Sequence, residues 1–95
     1  MIHVDKEDYK IIDDILKKYP YSFYVYGSRS TGKQQKFSDL DLCVIDETIT
    51  QSQIFDLKDE FEESDLPFTV DVTLWSEMSK DFQKLIRQDF QLWPK

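Results

Sequence analysis

The amino-acid sequence predicts an α/β (α+β) domain, a small mixed β-sheet with helices packed on one face, in the element order α-β-β-α-β-α. Three observations carry that expectation. Apolar residues recur at helical spacing in three stretches of the chain, and other stretches are aromatic-rich or alternate. The second and third of those strand-like stretches each have an apolar face and a face bearing carboxylates. The chain's glycines, Gly27 and Gly32, both fall in one polar loop directly after the first strand-like stretch.

The elements follow in order. Residues 6–19 place Tyr9, Ile12, Ile15, Leu16 and Tyr19 on one helical face, with Asp5 as a candidate cap and Pro20 as the stop. Residues 22–26 (SFYVY) read as a strand that runs straight into GSRSTGK. Residues 39–45 (DLDLCVI) read as a second strand, with Leu40, Leu42 and Val44 on one face and Asp39, Asp41 and Cys43 on the other. Residues 51–63 carry Ile54, Leu57 and Phe61 at helical spacing, and Pro67 follows. Residues 68–75 (FTVDVTLW) alternate, with Phe68, Val70, Val72 and Leu74 opposed to Thr69, Asp71 and Thr73. Residues 79–90 hold Phe82, Leu85, Ile86 and Phe90 at helical spacing behind a Ser79 cap. If the apolar faces of the strands share one core, Asp39, Asp41 and Asp71 share the opposite face.

Composition bounds the function. With 95 residues, 40% of them hydrophobic, the chain has material for one compact core, and a single domain over residues 1–95 is expected. The net charge of −7 opposes a general phosphate-gripping surface, so nucleic acid is not expected as a tight partner. The one cysteine, Cys43, excludes an intrachain disulfide and fits a reducing, cytoplasmic setting. No apolar run approaches the roughly 18 residues of a membrane span.

Asp39 and Asp41 stand two residues apart on a strand, about 7 Å along one face. At an effective dielectric near 20 their charges repel by about 2 kcal/mol, and Asp71 on a neighbouring strand adds to that. Stability alone does not favour such a cluster, whereas a divalent cation with hard oxygen ligands reverses the sign. The chemistry that needs it is two-metal phosphoryl transfer, with Asp39 and Asp41 bridging both ions and Asp71 completing the site nearer the nucleophile. A solvated sheet face is the alternative when each acid is taken alone. The glycine loop shifts the weighing. Gly27 permits a tight turn and close approach of backbone to phosphate, Ser28 and the following N–H groups can donate to phosphate oxygens, and Arg29 is a nearby cation. The stretch GSRSTGKQ nearly fits a P-loop, but Gln34 stands where that motif needs a hydroxyl, and the chain turns into a strand where a P-loop opens a long helix.

Taken together, Gly27-Ser28, ten intervening residues, Asp39-Leu40-Asp41, and Asp71 between Val70 and Val72 resemble the signature of the minimal nucleotidyltransferase (MNT) group of the DNA polymerase β-like superfamily. The resemblance spans about residues 21–75 and implies a palm-like catalytic domain. It implies an NTP donor, ATP in the first instance, and two Mg²⁺ ions, with Mn²⁺ as the alternative. By position, Gly27, Ser28 and Arg29 would bind the nucleotide, and Asp39, Asp41 and Asp71 would be the catalytic, metal-holding acids. Members of the group are often paired with a small helical partner of the HEPN or substrate-binding type, in toxin–antitoxin systems where AMP goes to a protein or small-molecule hydroxyl. The alternative reading is a non-catalytic, antitoxin-like module that neutralises a helical partner by contact. His3, the only histidine, is expected at the surface, and Phe90, Leu92 and Trp93 either cover the chain's own core or face another subunit.

Overall fold

A computed structural model describes residues 1–94. The elements are α1 (Lys6–Leu16), β1 (Phe23–Tyr26), α2 (Ser28–Thr31), β2 (Leu40–Val44), α3 (Gln51–Glu62), β3 (Val70–Leu74), a 3-10 turn (Trp75–Glu77), α4 (Lys80–Arg87) and β4 (Gln91–Leu92). They form a mixed α+β fold around a four-stranded sheet of order β3-β2-β1-β4. β1 pairs antiparallel with both β2 and β4, whereas β2 and β3 run parallel. A parallel pair needs a crossover, and α3 supplies it.

The alternation read from the sequence sets the layers. Phe23, Val25, Leu40, Leu42, Val44, Val70, Val72 and Leu74 are buried against Ile12, Ile15 and Leu16 of α1 and Ile54, Leu57 and Phe61 of α3. Each such side chain, fully buried, contributes about 1.5–3 kcal/mol of transfer free energy. α1 and α3 therefore cover one face, as expected. The last helix does not join them. Ile86 of α4 packs on Tyr26 and Cys43, which point to the carboxylate side, and Trp75, Met78 and Phe90 gather round that contact. Helical spacing shows that α4 has an apolar stripe but not which side of the sheet receives it.

The chain ends also differ from the periodicity. The helix expected to reach residue 90 stops at Arg87, and Phe90 turns back to stack on Tyr24 at 5.4 Å. Gln91 and Leu92 then pair with Val25 and Tyr24 as β4, a strand too short to show any alternation. Trp93 is buried, stacks on Tyr9 at 4.4 Å and donates its indole N–H to Asp13 at 3.0 Å, so Trp93 covers the chain's own core, whereas Leu92 is exposed. Among the described residues no helix is long and apolar enough to cross a membrane.

One local device fixes the start of α3. The Thr50 hydroxyl accepts from the Gln53 N–H at 3.1 Å, and the Gln53 side chain accepts from the Thr50 N–H at 3.0 Å. This reciprocal box satisfies a backbone donor at each end. Thr50→Ala is expected to lower stability by about 1 kcal/mol, read as a shift of the urea midpoint at unchanged slope.

Candidate active site

The site lies where β1 leaves the sheet and β2 and β3 enter it. Register places Tyr26 of β1 opposite Asp41 of β2, and Asp41 opposite Asp71 of β3, so the three form a row across one face. Asp39 immediately precedes β2 and, like Asp71, is exposed; Asp41 is half-buried. The alternation argument thus holds, and register adds that Asp41 is the central member.

Gly27 follows β1 with φ +76° and ψ −155°, a conformation that side chains oppose. A Cβ at this position would lie 2.6 Å from the Asp41 Oδ2 atom. The turn therefore runs in contact with the central carboxylate, and only glycine permits it. Ser28 opens α2, whose Ser30 and Thr31 N–H groups return to the Gly27 carbonyl at 3.0 and 3.1 Å.

The electrostatics are one-sided. The ion pairs of the described residues, Lys10 and Lys17 with Asp14 and Lys18 with Glu60, lie elsewhere. Burial, then the charges of Asp71 and Asp39, push the Asp41 carboxyl up to about 6. Tyr26 beside it is pushed up as well, by burial first and then by Asp41. Such uncompensated negative charge is the field a cation would relieve. Among the described residues, no three His, Cys, Asp or Glu side chains converge closely enough to hold an ion by themselves. The donor set fits a cation held by a few carboxylates and completed by ligand phosphates, the usual habit of Mg²⁺, rather than an all-protein cage.

Arg29, grouped above with the nucleotide-binding residues, is placed differently from its neighbours. It is only 4% exposed, and its guanidinium donates to three backbone carbonyls, Ser38 at 2.9 Å, His3 at 3.0 Å and Lys36 at 3.2 Å. It also lies 3.9 Å from the Phe68 ring centroid. Burial draws its pKa down, and Asp8, Asp5 and Asp39 oppose that. The side chain ties the glycine turn to the backbone just before Asp39 and to the N-terminal segment, so its donors are already engaged. Arg29→Met is expected to lose about 3 kcal/mol of stability, because three carbonyls lose a charged donor. Arg29→Lys should recover less than half of that in chemical denaturation, since one ammonium does not span three acceptors.

Other parts of the site are not legible as motifs. The Gln91 amide donates to the Ser30 carbonyl at 2.8 Å and to its hydroxyl at 2.9 Å, and Ser30 donates to the Asp89 carbonyl, so the chain's end holds α2. The His3 backbone N–H donates to the Arg29 carbonyl at 2.7 Å, and the half-buried His3 ring stands beside Gly32. A cleft of about 660 Å³ opens beside Asp39 and Asp71, rimmed by Phe37 and Lys58. The one advance sign of it is an apolar residue, Phe37, in an otherwise polar loop.

A glycine turn pressed on the central member of a carboxylate row, at one end of a small mixed sheet, defines the catalytic palm of a nucleotidyltransferase. Residues 10–92 match the family described as "Polymerase beta, Nucleotidyltransferase", and the chain belongs to that family. Over 90 residues it is 39% identical to the "Probable protein adenylyltransferase MntA" of Haemophilus influenzae, covering 92% of this chain and 79% of that protein. A crystal structure of a toxin–antitoxin with AMP-PNP superposes with a TM-score of 0.69 at 22% identity, covering 92% of this chain and 73% of the other, a likeness of fold.

Proposed function

We propose that the chain is a Mg²⁺-dependent protein adenylyltransferase that moves AMP from ATP to a protein hydroxyl, as one half of a cytoplasmic two-protein toxin–antitoxin system. The observation that carries the reading is the contact of the Gly27 turn with Asp41, in register with Asp71. The similarity to a protein named as an adenylyltransferase supports AMP and a protein acceptor. The fold shared with a toxin–antitoxin structure supports a second protein, which the family resemblance describes as a helical HEPN-type or substrate-binding subunit.

Gly27 and Ser28 receive the β- and γ-phosphates, with backbone and hydroxyl donors, on the β1 side of Asp41. Asp39 and Asp41 would hold the divalent cations, and Asp71 would complete the set on the β3 side. Divalent cations held there would supply neutralisation of the triphosphate and the leaving pyrophosphate and a more acidic attacking hydroxyl. The acceptor oxygen forms a bond to the α-phosphorus as the bond to the bridging oxygen breaks, and pyrophosphate leaves. Asp71, which is exposed, would take the hydroxyl proton. The rest is positioning and charge.

Titration of the full chain with AMP-PNP, with and without Mg²⁺ and with and without a helical partner, tests this reading. Binding that requires metal and disappears in the Asp39→Asn/Asp41→Asn variant is the expected result. Absence of binding by a folded chain with its partner present would leave only the contact-only antitoxin.

A further inference from the structure

We propose that the cleft beside Asp39 and Asp71 is the dock for the acceptor polypeptide, which lies extended along the free edge of β3 with its hydroxyl at Asp71. The inference rests on the transferase reading above and adds where the acceptor binds and in what form.

Position across the sheet separates donor from acceptor. The order β3-β2-β1-β4 puts the Gly27 turn on one side of Asp41 and Asp71 on the other. The cleft is lined by Asp39 and Asp71, but not by Gly27, Ser28 or Asp41. Attacking and leaving oxygens stand roughly in line about the transferred phosphorus. With the triphosphate on the β1 side, the nucleophile enters from the β3 side, where the cleft is.

The walls indicate what enters. Thr69, Val70 and Asp71 form one side, and β3 is an edge strand of the sheet. An edge strand presents unpaired N–H and C=O groups that an extended polypeptide can meet. Phe37, Leu66 and Pro67 supply its accessible apolar surface, with the buried Phe61 and Phe68 behind them. Phe37 is 63% exposed, although it is large and apolar. On the rim Lys58 and Glu62 offset each other, so the cleft carries little net charge beyond its acids. With Asp39 and Asp71 in no ion pair among the described residues, the cleft is a poor seat for a triphosphate, and its mainly polar lining beside the exposed Phe37 ring suits a polypeptide segment that carries a hydroxyl. Its volume of about 660 Å³ falls within the usual range of ligand sites.

The test compares wild type, Phe37→Ala/Lys58→Ala, and the control Phe55→Ala, which removes an equally exposed ring of α3 outside the cleft. Each full-length chain is titrated with AMP-PNP and Mg²⁺. Each is then assayed for transfer of label from α-phosphate-labelled ATP to the protein that the wild type labels in a lysate lacking this chain. The double variant should lose at least about tenfold in transfer at low acceptor concentration, with nucleotide affinity within about twofold and the control unchanged. Undiminished transfer by the double variant would overturn the proposal. So would a matching loss of AMP-PNP affinity, which would put the nucleotide in the cleft. A wild type that binds no nucleotide, or labels no protein, overturns the transferase reading itself and this inference with it.

Discussion

Asp41→Asn makes the metal-free protein more stable at neutral pH and abolishes nucleotide transfer. The sign follows from the carboxyl's surroundings. Burial, Asp71 and Asp39 raise its pKa from 3.8 to about 6, so the folded protein holds this proton more tightly than the unfolded chain does. Well below 3.8 both states are protonated and folding carries no penalty from this group. The penalty grows as pH rises between the two values and is complete above about 6. A shift of about two units corresponds to about 3 kcal/mol, which solvent screening of a half-exposed group reduces to about 1–2 kcal/mol. Urea denaturation in chelator should show the variant ahead by that amount near neutral pH, with the gap closing towards about pH 4. Adding Mg²⁺ with AMP-PNP should stabilise the wild type and leave the variant where it was. Under the proposed mechanism transfer should fall by at least about 10³-fold, because Asp41 is the carboxylate assigned there to hold the cations. A variant less stable than wild type at neutral pH would mean that the carboxylate is held by favourable contacts, and would remove the electrostatic case for a cation.

Local periodicity carried this site a long way, and its limits can be assigned to particular residues. Alternation alone puts Asp41 and Asp71 opposite the apolar faces of their strands, because Leu40, Leu42, Val70 and Val72 must be buried. It does not say that β2 and β3 are neighbours, or that Asp41 stands level with Asp71; those depend on pairing across the α3 crossover. Gly27 was legible as a turn, but its contact with Asp41 is a tertiary fact. Arg29 shows the sharper limit. In sequence it is a cation beside a phosphate-type loop, and nothing local reveals that carbonyls of His3, Lys36 and Ser38 converge on it. Ile86 likewise lies on a correctly read stripe, yet the side of the sheet it covers is decided by the turn at Trp75–Glu77 and the return of β4 to β1.

Gly27→Ala is expected to lose about 2–3 kcal/mol of stability and essentially all transfer activity. Two terms contribute. A Cβ makes the φ of +76° and ψ of −155° unfavourable, by about 1–3 kcal/mol for a glycine-only region. The same Cβ would stand 2.6 Å from Oδ2 of Asp41, so the carboxylate must move away from the turn. Gly32→Ala separates the terms, since its φ of +84° is also left-handed, but its new Cβ would meet a His3 ring atom at 3.1 Å, the far end of a movable side chain. It should lose about 1 kcal/mol and retain most transfer activity. Asp41→Ala removes the obstructing carboxylate, so the double variant should be about 1 kcal/mol more stable than the sum of the two single effects. Strictly additive effects would mean that the turn and the carboxylate do not touch in solution. Coupling would confirm the contact between the turn and the carboxylate, which the proposed transfer mechanism uses to bring a triphosphate and its cations together.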